Sequence, residues 1–201
     1  MAAPSRGRPR SFDRDAALDK AIRLFWRKGY EATSTRDLTE ELGIGAPSLY
    51  AAFGDKQSLF TEAVQCFGTR YGGFMARVFG EAATARAAAE RLLRLAAVEY
   101  TKEGQPPGCM VISAGVNTTN TEVADMLRQL RNNNVGILQE WIRRDIEAGI
   151  LPAETDAAGL ARYTAAVLQG MSQGARDGAS AAELGKAAEL AISAWPEEVT
   201  A

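Results

Sequence analysis

Short helical segments ended by single glycines dominate the first 60 residues of this 201-residue chain. Four apolar residues spaced by three and four positions predict a helix from about residue 13 to residue 28. They are Leu18, Ala21, Ile22 and Phe25. Gly29 is expected to end this helix, because glycine readily adopts the backbone conformation that follows a helix C-terminus. The pattern predicts an opening helix with one apolar face.

Two shorter helices are predicted after it, joined by a turn at Gly43. Ser34, followed by Asp37 three residues later, approximates a capping box that starts a helix through Leu42. Pro47 stands near the start of the next helix, where its missing N–H is harmless. Helices of about two turns are unstable alone, so both must pack on the first helix. This layout is typical of a helix-turn-helix DNA-binding motif, although any pair of hairpin helices gives a similar pattern.

The rest of the chain also shows helical periodicity. The segments predicted to be helical are 56–79, 84–103, 109–116, 121–148, 155–176 and 180–195. Val, Ile and Thr never alternate over a length that would predict a strand. The sequence therefore predicts an all-α protein with three parts. They are a flexible basic arm at 1–10, a three-helix head at 11–56 and a helical bundle at 57–201.

Histidine is absent, which removes the commonest general base and the commonest metal ligand. A Ser-His-Asp hydrolase, a zinc site with histidine ligands and a two-histidine iron site are therefore excluded. The two cysteines, Cys66 and Cys109, are too few for a four-cysteine metal site. No carboxylate pair or Lys/Tyr base motif is evident. The prediction is a protein that is not an enzyme and has no catalytic residue, metal or cofactor.

Charge is concentrated at the N-terminus. Residues 1–28 hold eight basic and three acidic side chains, whereas the whole chain has 23 basic and 25 acidic residues. A basic head on an acidic body favours contact with a polyanion, and a solvated basic tail is the alternative. No apolar run is long enough to cross a bilayer, and the basic N-terminus lacks the apolar core of a secretory signal. The expected location is the cytoplasm, with no membrane partner.

Several stretches of the head carry a family resemblance. They are Ala17, Ala21, Leu24 and Phe25, then Lys28–Ser34, Asp37–Leu38, Leu42–Ile44, Ser48–Tyr50, Phe53–Lys56 and Leu59–Phe60. With them, residues 11–60 resemble the N-terminal domain of TetR-type transcriptional repressors. The resemblance implies a homodimeric repressor that binds a palindromic operator in double-stranded DNA. It further implies a helical bundle for dimerisation and for a small-molecule inducer that releases the DNA.

The resemblance also implies which residues contact DNA. They are Thr33, Ser34, Thr35 and Arg36 for phosphates, Ser48 for base edges, Tyr50 for a phosphate or a base edge, and Lys56 for a phosphate at a helix N-terminus. Packing of Tyr50 against Phe53 and a solvated Lys56 are the alternatives. Gly45 departs from the family pattern, because many members have a hydroxyl residue there. Because the predicted recognition helix has few polar groups that can contact base edges, the alternative function is a helical small-molecule carrier that does not recognise DNA sequence.

The segment Arg6–Arg10 adds a second element. It resembles the core of an AT-hook, in which Arg8 and Arg10 would insert into the narrow minor groove of an A·T tract. The alternative is a disordered basic tail that binds only through counterion release.

Apolar and aromatic residues of the bundle are candidates for the inducer cavity that the resemblance implies. They are Cys66, Phe67, Tyr71, Phe74, Tyr100, Cys109, Met110 and Trp141. The alternative for each is an ordinary core position. Cys109 follows Gly108 at a predicted helix start, where free amides can stabilise a thiolate for redox sensing. A small buried thiol is its alternative role.

Two surfaces near the C-terminus are candidates for the dimer interface. The first is a stripe of small residues on one helix, and the second is an apolar face on the next. They comprise Ala166, Gly170 and Gly174, and Leu184, Ala188, Ile192 and Trp195. A helix-turn-helix on a twofold operator favours a C2 dimer, although in a monomer the second face would simply be core.

Overall fold

The computed structural model describes residues 12–199 and consists of helices and their connections over that range. Ten α-helices are present in these residues. They are α1 Arg14–Lys28, α2 Thr35–Leu42, α3 Ala46–Phe53, α4 Lys56–Arg70, α5 Gly73–Glu81, α6 Ala85–Glu99, α7 Met110–Ser113, α8 Thr121–Glu147, α9 Ala157–Arg176 and α10 Ala181–Ser193. The all-α prediction is confirmed. No helix in residues 12–199 has the length and hydropathy required to cross a membrane.

Local interactions set the ends of the first helices. The Asp13 carboxylate accepts hydrogen bonds from the backbone N–H groups that open α1. Ser34 and Asp37 form the predicted capping box at the start of α2. Gly43 ends α2 with φ 69°, in the left-handed region that favours glycine. The sequence predictions for these elements are confirmed.

The helix predicted over residues 56–79 is wrong, because the chain breaks at Tyr71 and Gly72 into α4 and α5. Glycine is a poor helix former, and Gly68, Gly72 and Gly73 occur within six residues. The Gly72 N–H bonds back to the Phe67 carbonyl at 2.9 Å, which closes α4. The break lets the chain leave one hydrophobic core and enter another.

The first core contains the inner faces of α1–α4 together with residues of α7 and α8. From the later helices it takes Met110, Ala114, Val123 and Leu127. The second core lies among α5, α6, α8, α9 and α10. Packing therefore groups α4 with the head. The division of the chain after residue 56 stays a prediction.

Hydrogen bonds tie the head to the helices behind it. The Tyr30 N–H donates to the Ala114 carbonyl at 2.8 Å, just after α7. Arg176, the last residue of α9, donates to the carbonyls of Trp26 and Arg27 at 3.2 and 3.3 Å. The end of α1 is thus in direct contact with the residue after α7 through a backbone hydrogen bond and with α9 through the Arg176 side chain.

Candidate functional site

The segment α2–turn–α3 forms a helix-turn-helix. Leu38 and Leu42 of α2, and Leu49 and Phe53 of α3, are buried in the core that these helices share with α1 and α4. Because these residues occupy the inner faces, the opposite face of α3 lies at the surface. Tyr50 stands on that face with 51% of its surface exposed. The arrangement presents α3 as a helix that can enter a DNA groove.

Ser34, Thr35 and Arg36 lie together at the start of α2. Ser34 and Arg36 are exposed, and Thr35 is half-buried. Arg36 pairs with Glu40 at 2.8 Å on the surface, where a phosphate can compete for the guanidinium. These three residues remain proposed phosphate contacts.

Thr33 is placed differently from its prediction as a phosphate donor. Its side chain is fully buried, and its hydroxyl donates to the Gly29 carbonyl at 2.6 Å. The hydroxyl proton is therefore already used in a hydrogen bond within the turn between α1 and α2. Thr33 supports the neighbouring residues and does not offer its side chain to DNA.

Asp37 holds the N-terminus of α2 in place. Its carboxylate accepts from the Lys28 ammonium at 2.6 Å and from the hydroxyl and backbone N–H of Ser34. These contacts, first that of Lys28 and then those of Ser34, lower the pKa of the carboxyl well below its usual range. Asp37 thus stays ionised at physiological pH and orients Ser34.

The exposed face of α3 carries few polar groups. Gly45 is its N-cap and provides no side-chain hydrogen bond to the helix, as its departure from the family pattern predicted. Ser48 is half-buried, so Tyr50 supplies the most accessible polar atom of this face. Recognition through α3 would rest on Tyr50, Ser48 and apolar contacts with thymine methyl groups. Arg8 and Arg10 of the arm lie outside the described residues.

Lys56 opens α4 but is not a freely solvated side chain. Its ammonium donates to the carbonyls of Tyr30 and Thr33 at 3.0 and 2.8 Å. It also lies 4.2 Å from the centre of the Tyr30 ring. With two of three N–H donors used, Lys56 fixes the turn before α2 and keeps one donor for a phosphate.

Replacing Lys56 with methionine is expected to cost about 1–2 kcal/mol of unfolding free energy, because two carbonyls lose a charged donor. Operator affinity should fall by a similar factor on all DNA sequences, because a phosphate contact carries no base information. Urea denaturation and fluorescence anisotropy measure the two effects. Lys20→Met removes the same charge from an exposed site on α1 and serves as the control. Unchanged stability and binding in Lys56→Met would contradict this role.

A cavity of about 480 Å³ lies behind the head. Five of the predicted cavity residues line it. They are Phe67, Tyr71, Phe74, Tyr100 and Cys109. Its wall also includes Trp26 of α1, so a bound molecule would touch the core of the head directly.

Cys66, Met110 and Trp141 do not line this cavity, which corrects the prediction for them. Met110 is fully buried in the first core, and Cys66 packs against that core. The Trp141 ring packs edge-on against the Phe79 ring, with 5.5 Å between the ring centres. The Arg144 guanidinium lies 4.2 Å from the centre of the Trp141 ring. Apolar spacing identifies a buried face, but it does not separate a cavity wall from a filled core.

Several cavity residues were missed by the sequence analysis. They include Trp26, Val64, Gln65, Met75, Leu92, Arg131, Asn134, Leu138, Leu168 and Gln169. Most of these lie on long amphipathic helices, whose inner faces could be identified from the sequence. Which turn of each helix meets the cavity depends on how the helices cross.

Cys109 is a neutral thiol in the cavity wall. Burial raises the pKa of the Cys109 thiol and outweighs the backbone N–H groups of Ile112 and Val111, which lower it. Burial also raises the pKa of Tyr100, which lines the cavity as well. The thiolate alternative at this helix start is therefore not favoured, because α7 has only four residues and burial opposes the charged form. Cys66 and Cys109 are both free.

The predicted dimer surface divides into buried and exposed parts. Leu184, Ala188, Ile192 and Trp195 are buried within the protomer as part of the second core, where α10 packs on α6. This corrects their assignment as interface residues, because an apolar helix face serves a core equally well.

The small-residue stripe on α9 lies mostly at the surface. Ala166 and Gly170 are exposed, whereas Gly174 is half-buried against Leu184. Leu190 of α10, which was not predicted, is 71% exposed. Ala166 and Gly170 of α9 and Leu190 of α10 are exposed residues on two helices that pack together, and this set is called here the α9–α10 face.

The chain is similar to known bacterial regulators. The model of the family described as "Bacterial regulatory proteins, tetR family" matches residues 17–63, from α1 into α4. The chain is 36% identical over 198 residues to the HTH-type transcriptional repressor ComR of Escherichia coli (strain K12), covering 97% of this chain and 94% of that protein. It is 29% identical over 185 residues to the repressor BdcR of the same strain, covering 92% of this chain and 90% of that protein.

Solved structures agree in fold. A cysteine mutant of the TetR family transcriptional regulator CifR, complexed with 26bp double-strand operator DNA, superposes with a TM-score of 0.89 at 40% identity. The match covers 94% of this chain and 100% of that one. These relatives are transcriptional regulators and not enzymes. Since one relative matches nearly the whole of both chains at 36% identity, the chain belongs to the tetR family of bacterial regulatory proteins.

Proposed function

We propose that this protein is a transcriptional repressor that binds a palindromic operator as a homodimer and leaves it when a small molecule fills the cavity. The observation that carries the proposal is the helix-turn-helix with α3 exposed, in a chain similar to the repressor ComR over 97% of its length. The similarity to CifR complexed with operator DNA supports it. Since bacterial DNA lies in the cytoplasm, this function places the protein there.

In this proposal α3 enters the major groove of one half-site, where Tyr50 and Ser48 contact base edges. Ser34, Thr35 and Arg36 at the start of α2 contact phosphates, and Lys56 offers its remaining N–H. Phosphate contacts set the register of the helix, and base contacts set the preferred sequence. Their small number implies that one head binds weakly, so two heads must act together.

A second copy supplies the second head. The α9–α10 face is the proposed dimer surface, because its glycine and alanine allow close approach of another helix and its Leu190 is otherwise exposed. In a C2 dimer the two α3 helices would face successive major grooves about 34–36 Å apart.

Ligand binding in the cavity would act on α1 and α4, since Trp26 and Phe67 belong both to the cavity wall and to the core of the head. A ligand that shifts these helices changes the separation of the two heads. A thousandfold loss of operator affinity needs a preference of about 4 kcal/mol for the non-binding state.

The test uses fluorescence anisotropy with a palindrome taken from the DNA that flanks the gene for this protein. The control is a shuffled sequence of the same composition, and both are titrated at two salt concentrations. A repressor binds the palindrome more tightly at both, whereas binding through charge alone is equal for the two and falls steeply with salt. Equal binding would favour the alternative of a carrier without sequence recognition.

Deleting residues 1–10 is expected to weaken binding most on operators with A·T-rich flanks. Arg8 and Arg10 would read the narrow minor groove there, which G·C-rich flanks do not offer. Anisotropy on two operators that differ only in their flanks measures the difference. An equal loss on both would leave the arm with a nonspecific role only.

A further inference from the structure

The cavity wall is mostly apolar but contains two charged residues, Glu99 and Arg131. The Glu99 carboxylate has a cationic neighbour, because the Lys102 ammonium lies 3.6 Å away. Arg131 has no carboxylate within 4.0 Å among residues 12–199. Of the two charged residues in the cavity wall, Arg131 is therefore the one without a counterion in the described part of the chain.

Arg131 is half-buried on α8 and points its guanidinium toward α7. One terminal nitrogen donates to the Val111 carbonyl at 2.9 Å. A guanidinium has five N–H donors in one plane, so this bond leaves others for a second acceptor. A carboxylate matches that planar geometry with two parallel hydrogen bonds.

The surroundings of Arg131 make an anion favourable there. Burial is the main factor that lowers the pKa of Arg131, and the neighbouring Arg128 adds to it. The group remains protonated, because arginine does not lose its proton in proteins. A desolvated cation without a partner is costly, and an anionic ligand would offset that cost.

We propose that the cavity binds a small apolar monocarboxylate, with its carboxylate on Arg131 and its hydrocarbon or aromatic part against Trp26, Phe67 and Tyr100. One cation compensates one negative charge, which favours a monoanion over a dianion. Asn134, one helical turn further along α8, also lines the cavity and can add a hydrogen bond. The inference rests on the proposed role of the cavity as a ligand site and adds the chemical class of the ligand.

The position of Arg131 connects the ligand charge to the head. Its partner Val111 lies in α7, and the Ala114 carbonyl just after α7 accepts the Tyr30 N–H at 2.8 Å. A carboxylate that draws the guanidinium toward itself would pull on α7 and, through it, on the end of α1.

The test is calorimetric titration of the full chain with three carboxylates and their neutral amides. The carboxylates are phenylacetate, 3-phenylpropionate and octanoate. At least one carboxylate should bind the wild-type chain on the order of tenfold to a hundredfold more tightly than its amide. If no carboxylate of the panel binds more tightly than its amide, the proposal is wrong.

Arg131→Gln should abolish that preference and leave the affinity for the amides unchanged. The matched control is Arg143→Gln on the same helix, because Arg143 pairs with Glu140 at 2.5 Å on the surface and is not part of the cavity wall. A preference that survives in Arg131→Gln would overturn the assignment to Arg131. The wild-type comparison of acid and amide decides the ligand class even if Arg131→Gln folds poorly.

Operator release by the same compounds is measured separately by anisotropy. Binding that depends on Arg131 without operator release would uphold the ligand class and contradict the proposed inducer role. Operator release by the amides, with no preference for the acids, would uphold the inducer role and contradict the ligand class.

Discussion

Replacing Gly170 with leucine is expected to convert the proposed dimer into monomers and to abolish tight operator binding. A Cβ atom added at Gly170 meets nothing within 4 Å in its own protomer. A side chain at residue 170 therefore begins in open space within the protomer, and we expect the loss to come from contact with a partner. Overpacking a close helix contact costs about 1–3 kcal/mol, and a twofold interface contains the change twice. The dimer should weaken by about 2–6 kcal/mol, while helical content stays near wild type.

Analytical ultracentrifugation and anisotropy measure the two consequences of Gly170→Leu side by side. Gly80→Leu is the matched control, because Gly80 is also exposed within a helix, α5, and also has open space around it. Operator affinity should collapse with the dimer, since only linked heads gain effective concentration on the second half-site. A Gly170→Leu protein that remains a tight dimer would place the interface elsewhere. A monomeric variant that still binds the full operator tightly would rule out the dimer mechanism.

Replacing Gly108 with alanine is expected to destabilise the protein by about 3 kcal/mol or more. Gly108 has φ 78°, and a Cβ atom there would stand 2.6 Å from the Ser172 carbonyl oxygen. Backbone atoms of α9 cannot move aside cheaply, and the bond from the Cys109 N–H to the Ser172 hydroxyl at 2.9 Å would be strained as well. The loop before α7 would then detach from α9.

Gly104→Ala separates the backbone strain of a positive φ from the clash of the added Cβ atom with α9. Gly104 has nearly the same φ, 79°, but a Cβ atom there meets nothing within 4 Å. This variant carries the backbone strain alone, about 1 kcal/mol. Urea denaturation of both variants measures the difference as a shift in midpoint. Equal losses would show that contact with α9 is not what requires a glycine at residue 108.

Some site residues could be assigned from the sequence because their interactions are local. Ser34 and Asp37 are three residues apart, and the capping box they form needs nothing from the rest of the chain. The left-handed turn at Gly43 likewise depends on one residue. The family resemblance of the head, which the comparisons confirm, consists largely of such local signals.

Other residues had roles that spacing could not reveal. Lys56 binds carbonyls of Tyr30 and Thr33, which lie 26 and 23 residues earlier in the chain. Phe67 and Phe74 are seven residues apart, so their helical spacing continues across the break between α4 and α5. The apolar periodicity therefore did not reveal this break. The Lys56 contacts depend on neighbours that are distant in sequence, whereas the helix break is local but leaves the apolar spacing unchanged.

The sequence by itself predicted an all-α chain with two short helices joined by a glycine turn, because helix periodicity, caps and glycine turns act over a few residues. The tetR-type family was indicated separately, by the resemblance of the motif residues in the head. Only the tertiary structure decided which apolar faces are core and which are surface. Leu184 and Trp195 are buried, whereas Ala166 and Gly170 on α9 are exposed. It also placed Arg131 in the cavity wall. The physical reason is that burial and charge compensation depend on how helices cross, and crossing brings together residues that no short pattern relates.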